Sequence, residues 1–408
     1  MKCRNCDNPL SISFADLGFS PPSNAYLTEN DLNQLEHYFP LRVDVCESCF
    51  LVQTQDFVLP ETIFNEDYAY LSSTSKGFLD HCEDYSNKII ERLTLDSNSF
   101  VVEIASNDGY LLKNFLKREI PCLGIEPTKS TAEIARSKGI RVEERFFGKE
   151  TAIDVSKESK ADLIIANNVY AHVPDIKSFT KGLFLLLKDD GTITIEFTHL
   201  VNMLREKQFD SLYHEHFSYY SLTTVINIFE RHGLRIYDVE KIPTHCGSLR
   251  IYGCKKDASI QNNAEYIDKI LNEEKEMGLD NLDSYKTFQS EIDEIKNSFL
   301  SFLLQAKKEN KKVAGYGAAA KGNTLLNYAG VKPDLIPYIC DMAESKQGKY
   351  MPGSHIPILD IDYLKKDKPD YVFIFPWNIA KEVIDQNNYI SEWGGRFVIA
   401  VPTLEILE

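Results

Sequence analysis

From Phe100 onward, short apolar runs alternate with amphipathic ones, and this rhythm restricts the chain more than any other feature. "SFVVEIASNDGYLLKNFLK" reads as a buried strand, a small-residue turn and a helix with leucines at helical spacing. "CLGIEPT" is a second strand ending in Glu126, and "KSTAEIARSKG" is a helix closed by Gly139. "ADLIIANNVYAHVPD" supplies another apolar strand, and "KSFTKGLFLLLKDDGTITIEF" a helix, a turn and a strand. "KKVAGYGAAAKGNTLLNY" then restarts the same grammar, with "LIPYICDM" and "DYVFIFPWN" as further strands. Strands separated by helices pair in parallel through crossovers, which gives an α/β fold with two doubly wound, Rossmann-like units. The charged, helix-rich stretch at about 258–310 connects them.

Sheets of this kind bind ligands outside the carboxyl ends of their strands. The turn "EIASNDG" lets backbone approach a ligand at Ala105 and Gly109, and Glu126 ends the second strand where a ribose would be met. The turn lacks the G-x-G-x-x-G spacing that seats a dinucleotide pyrophosphate. A cofactor with a ribose and no phosphate fits better, and S-adenosylmethionine (SAM) is the common one. Glu103, Ala105, Asn107, Gly109, Glu126 and Asn168 are the candidate cofactor contacts. In the second unit "GYGAAAKG" also permits a nicotinamide-type reading, as in an epimerase or reductase.

Ahead of these units, Cys3 and Cys6 form one C-x-x-C, and Cys46 and Cys49 form another in "VCESCF". Four thiolates satisfy a closed tetrahedral zinc site, and with no position left open the expected role is structural. Cys82, Cys122, Cys246, Cys254 and Cys340 have no partner spacing and read as ordinary thiols. A formal net charge of −16 disfavours nucleic acid and membrane surfaces as partners. No apolar leader or bilayer-length run is seen, so the expectation is a cytoplasmic protein, and a monomer.

The stretch "YHEHFSYYSL", residues 213–222, concentrates two histidines, a glutamate and three tyrosines. Such groups are costly to bury, and a loop would more cheaply use Lys, Ser or Asp. His214 and His216 would share a face on a strand and could then ligate a metal, although no third ligand follows at suitable spacing.

"EIASNDGYLL", "GIEPT" and "NNVYAHVPD", following the double C-x-x-C and followed by "YHEHFSYYSL", "HCGSLRIY" and "GYGAAAKGNTLLNY", resemble the SAM-dependent sugar C-methyltransferases acting on nucleotide-linked 4-keto-deoxy sugars. The resemblance spans nearly the whole chain; it departs at Ala105, where many methyltransferases carry glycine. It implies a zinc-binding module at 1–65, a methyltransferase domain at 66–245 and an α/β domain at 246–408 that helps to hold the nucleotide-diphospho sugar. It also implies His216 as general base, with Tyr213 and Glu215 orienting sugar and enolate and His172 assisting over the cofactor. Tyr68 and Tyr70 in "DYAYLSSTS" become candidate lid contacts. Arg250 and Lys321 become candidate phosphate contacts, and Trp377 a candidate wall of the base pocket. The implied reaction is methylation of the carbon next to the ketone, C-3 first. O- or N-methylation and a non-catalytic zinc-bearing binding module are the remaining readings.

Overall fold

The apolar runs VVEI and ADLIIAN become strands β4 (Val101–Ile104) and β7 (Ala161–Asn167), almost wholly buried because helices cover both faces of their sheet. A computed structural model describes residues 1–57, 73, 76–243 and 247–407. Strands are numbered in chain order.

The central sheet adds β5 (Cys122–Ile125), β6 (Arg141–Glu143), β8 (Leu187–Thr198), β10 (Leu234–Ile242) and β11 (Ser248–Lys255) in the order β10-β11-β8-β7-β4-β5-β6. Strands β8, β7, β4, β5 and β6 are parallel, and β11 runs antiparallel to both neighbours. The expected cut at 246 would divide the β10–β11 hairpin, so the central sheet continues to Lys255. The expected turn at "KDDG" lies inside β8, where the β7–β8 register shifts between Ala161 and Leu163. Helix Ile176–Leu186 begins where Asp175 accepts the Ser178 N–H at 3.0 Å, and helix Leu222–Arg231 where Ser221 accepts that of Thr224 at 3.1 Å.

A small N-terminal sheet, order β1-β2-β3-β9, joins β1 (Ile12–Ser20), β2 (Phe39–Val45) and β3 (Val52–Thr54) to β9 (Ser218–Tyr219). The last sheet contains β12 (Val313–Tyr316), β13 (Ile339–Cys340), β14 (Ile358–Leu359), β15 (Tyr371–Ile374), β16 (Arg396–Ile399) and β17 (Glu405–Leu407), ordered β14-β13-β12-β15-β16-β17 and parallel except for β17. Its core is continuous with that of the N-terminal sheet through helix Phe288–Lys308, whose Phe288 stacks on Phe14 at 4.5 Å between ring centroids. Among the described residues no helix is long and apolar enough to cross a membrane.

The strand order reverses between β4 and β7 in the central sheet and between β12 and β15 in the last. Those two reversals are where a doubly wound sheet opens a crevice. After β8 and helix Leu200–Arg205, residues 209–217 lead into β9 of the N-terminal sheet, and Ser211 and Leu212 meet Lys321 and Thr324 of the last unit on the way.

Candidate active site and zinc site

The two cysteine knuckles have the same backbone. Cys3 C=O accepts the Asp7 N–H and Cys46 C=O accepts the Phe50 N–H, each at 2.9 Å, and Asp7 and Phe50 both take positive φ, 63° and 57°. The matching turns bring all four Sγ atoms within 4.8 Å of one another, with Cys3–Cys49 at 3.6 Å and Cys6–Cys46 at 3.4 Å. A tetrahedron of Zn–S bonds of about 2.3 Å has S···S edges of about 3.8 Å, so the donor set fits zinc and leaves no open position. Gln53 Nε2 donates to Cys3 Sγ at 3.3 Å, a bond that favours the thiolate. Among the described residues this is the only cluster of three or more candidate ligands.

At the first reversal, Ala105, Asn107 and Gly109 follow β4 with φ of 56°, 47° and 75°. Side chains rarely adopt these angles, and they turn the backbone sharply over the strand end. A Cβ on Gly109 would lie 2.3 Å from Ile140 Cδ1, so the turn is also packed tightly from behind. Glu126, at the end of β5, accepts the N–H groups of Asn107 and Thr128 at 2.9 Å each. One carboxylate oxygen goes to each, and the side chains of Thr128 and Thr131 also hydrogen-bond to this carboxyl. Burial raises the carboxyls of Glu126 and, more strongly, Glu103 above the usual range.

Glu103 Oε2, Ser106 Oγ and Asp108 Oδ1 on the β4 side, and Asn167 Oδ1 at the end of β7 with Asn168 Nδ2 just past it, are buried without a hydrogen-bond partner among the described residues. Buried polar atoms are normally satisfied, and five orphans at one strand-order reversal fit a polar ligand such as SAM. The expected cofactor residues Glu103, Ala105, Asn107, Gly109, Glu126 and Asn168 thus come together at one crevice.

The histidine-rich loop stands beside it. His172 ends the short turn Tyr170–His172 after β7, and its ring lies 4.8 Å from that of His216, edge to face. Tyr213 also lies against His216, with 4.0 Å between ring centroids. Phe217 N–H donates to Ala171 C=O at 2.7 Å and ties the loop to that turn. His216 Nδ1 lies 2.9 Å from the Ser211 carbonyl, which can only accept; Nδ1 therefore carries the proton, and the neutral ring's lone pair is on Nε2. Burial lowers His172 to about 4, so it remains neutral next to His216.

Residues 214 and 215 form a turn rather than a strand, and His214 points away, its Nε2 3.2 Å from Pro40 C=O. A His214–His216 metal pair is therefore not formed. Glu215 is buried, and Asn24 of the N-terminal unit donates to its Oε1 at 2.8 Å. Asn24 was not singled out in the sequence; the turn residues "PPSN" mark a bend but not its partner 191 positions away. Burial raises Glu215 to about 7, against the Asn24 bond, which favours the anion.

That shift has a measurable sign. A glutamate with an ordinary value of 4.5 and a folded value of about 7 binds more protons folded than unfolded between them. The stabilisation is present below 4.5 and lost as pH rises through about 7. Glu215→Gln, which does not titrate, is expected to gain up to about 3 kcal/mol relative to the parent from pH 4.5 to pH 8. Urea unfolding at both pH values checks this, and a pH-independent difference would remove the buried, titrating carboxyl.

Lys321 and Trp377 meet at the second reversal, after β12 and β15. Lys321 Nζ donates to Ser211 Oγ at 2.7 Å and lies 3.5 Å from Asp210 Oδ1, while the Trp377 indole N–H donates to Asp210 Oδ2 at 2.7 Å. A cavity there is lined by Asp210, Lys321, Phe375, Trp377 and Val401. Asp210 and Ser211 are further residues the sequence reading passed over. Arg250 departs from expectation: instead of facing a diphosphate site it is buried in the central sheet, paired with Glu196 and Glu240 beneath Tyr85. The β8–β11 register sets Arg250 opposite Glu196, and each charge neutralises the other inside the sheet. Tyr68 and Tyr70 lie outside the described residues.

Comparison with known proteins gives three consecutive family matches: a zinc binding domain at residues 3–64, a methyltransferase domain at 79–239 and the C-methyltransferase C-terminal domain at 243–402. The C-methyltransferase NovU of Streptomyces niveus is 30% identical over 407 residues, covering 100% of this chain and 96% of that one. Among solved structures, magnesium protoporphyrin IX methyltransferase (ChlM) from Synechocystis with bound SAM is 13% identical. It covers 50% of this chain and 100% of that one, with a TM-score of 0.35. An S-adenosylmethionine-dependent methyltransferase from Clostridium acetobutylicum is 14% identical over 43% of this chain and 92% of that one, also with a TM-score of 0.35. The full-length match and the order of its three domains show that the chain belongs to the C-methyltransferase family, as a SAM-dependent methyltransferase with a zinc-binding N-terminal domain.

Proposed function

We propose that the protein methylates the ring carbon next to the ketone, C-3 first, of a nucleotide-linked 4-keto-deoxy sugar. The observation that carries this reading is the His172–Tyr213–His216 cluster beside the β4/β7 crevice, with His216 held as the Nδ1–H tautomer. Transfer to carbon needs a carbanion, and a C–H next to a ketone is the acidic C–H such a sugar offers.

Nε2 of His216 takes that proton, and the C–H electron pair moves into an enolate whose oxygen is the former ketone oxygen. The resulting imidazolium keeps its Nδ1 bond to the Ser211 carbonyl, so the ring need not turn between the two states. Tyr213 offers a hydroxyl to the enolate oxygen without adding charge, and neutral His172 avoids like-charge repulsion with the imidazolium. Glu215, poised near neutrality, orients the sugar and can pass the abstracted proton onward. When bound, SAM would supply an electrophilic methyl group for the enolate carbon. Glu103, Asn107, Glu126 and Asn168 hold it by their polar atoms, and the backbone at Ala105 and Gly109 gives it room. Trp377 and Lys321, side by side at the second reversal, are the side chains offered to the base and the phosphates of the nucleotide end of the substrate.

The test is incubation with methyl-labelled SAM and 4-keto-6-deoxy sugars linked to dTDP, GDP or CDP, with the product read by NMR. A new C–CH₃ on the carbon next to the ketone supports the proposal; label on oxygen or nitrogen, or transfer to none of the sugars, contradicts it.

A further inference from the structure

We propose that Lys321, Asp210 and Ser211 are positioning residues for His216: the C-terminal unit holds the Ser211 carbonyl in place, and that carbonyl decides which imidazole nitrogen can take a proton. The proposal rests on the reading of His216 as the base.

Ser211 closes the three-residue turn Phe209–Ser211, and so short a turn has little stiffness of its own. It is held from outside by donors of the second unit, and the Ser211 carbonyl also accepts from the Tyr219 hydroxyl of β9 at 3.5 Å. Lys321 donates to Ser211 Oγ at 2.7 Å, Trp377 to Asp210 Oδ2 at 2.7 Å, and Thr324 Oγ1 to the Leu212 carbonyl at 3.1 Å. Lys321 and Thr324 lie on the helix Ala320–Ala329, and Trp377 follows β15. Three consecutive residues, 210 to 212, are thus gripped within one turn of the carbonyl that His216 Nδ1 addresses at 2.9 Å. Asp210 is almost fully buried, and a buried carboxylate is stable only while its donors stay in place. A slip of this turn would break several bonds together, so the imidazole is supported by a rigid frame rather than by a free loop.

The frame also explains why a substrate-binding unit is joined to the catalytic loop at all. With the carbonyl fixed, Nδ1 holds the proton and Nε2 is basic. With it displaced, both tautomers of a neutral imidazole become accessible, and a fraction of the enzyme has its proton on the nitrogen that must accept one. The C-terminal unit therefore acts on the turnover step, and not on substrate affinity alone.

The experiment uses the full chain labelled with ¹⁵N in histidine, with the His216 signals identified by their loss in His216→Gln. The parent is expected to show a single Nδ1–H tautomer at His216. Ser211→Ala is expected to show a mixture of tautomers, a kcat lowered about tenfold with KM unchanged, and recovery of kcat in Ser211→Thr, which keeps the hydroxyl. A single unchanged tautomer in Ser211→Ala, a rise in KM without a fall in kcat, or a Ser211→Thr variant as impaired as the alanine would each overturn the proposal. Should Ser211→Ala fail to fold, Lys321→Met is read by the same signals, and an unmixed tautomer there overturns it as well. The tautomer is measured without substrate. Mixed tautomers in Ser211→Ala, in a protein whose parent methylates none of the ketosugars, would keep the positioning role and remove the sugar reading; normal methylation with an unmoved tautomer would do the reverse.

Discussion

His216→Asn is expected to lower kcat by roughly 10²–10⁴-fold while leaving SAM binding within a few-fold of the parent. The asparagine amide can still donate to the Ser211 carbonyl as His216 Nδ1 does, so the loop keeps its anchor. What is lost is the basic nitrogen. Tyr213 and His172 remain beside the position, and burial that lowers His172 to about 4 makes it a poor substitute base near neutrality. Single-turnover rates and calorimetric SAM titration separate the two effects. Full turnover in His216→Asn would assign proton abstraction elsewhere, and loss of SAM binding would make the residue part of the cofactor pocket.

The second large effect concerns the zinc site. Cys46→Ser, or prolonged chelation, is expected to remove about one zinc per chain and to unfold the N-terminal sheet. Metal binding contributes roughly 10–16 kcal/mol to folding in small zinc modules, more than this small four-stranded sheet can replace from its own packing. The loss should reach the active loop. β3 pairs with β9; Thr54 donates from its N–H to the Phe217 carbonyl and from its hydroxyl to that of His216, each at 3.1 Å, and Asn24 holds Glu215. Activity is therefore expected to fall in step with zinc content measured by metal analysis. A zinc-replete, active Cys46→Ser protein would contradict the four-thiolate site.

Much of the architecture is legible in the chain because it is written locally. The knuckles announce themselves by spacing, and fully buried strands such as LIIAN between helices leave little choice but a parallel sheet. The crevice proposed for the cofactor follows from the same logic, since a reversal of strand order exposes the turns after β4 and β7. Partners are harder to see, because residue type reveals a need without naming what meets it. Arg250 in "SLRIY" and Glu196 in "TIEF" each place one charge in an apolar strand; the pairing appears only once β8 and β11 are in register. Read alone, Arg250 resembles a phosphate ligand, whereas two such misplaced charges of opposite sign are better read as a pair. Asn24, Asp210 and Ser211 are ordinary turn residues whose importance comes from long-range packing around one loop.

The central claim is that this chain removes a proton from carbon before methyl transfer. It is tested most directly by incubating the protein in D₂O with a nucleotide-linked 4-keto-6-deoxy sugar and S-adenosylhomocysteine, where no methyl group can be transferred. Proton NMR should show deuterium entering at the carbon next to the ketone with the parent protein, and not above the uncatalysed rate with His216→Asn. Equal exchange by both proteins would remove His216 as the base, and no enzyme-dependent exchange with a sugar that the enzyme methylates would contradict the carbanion account itself.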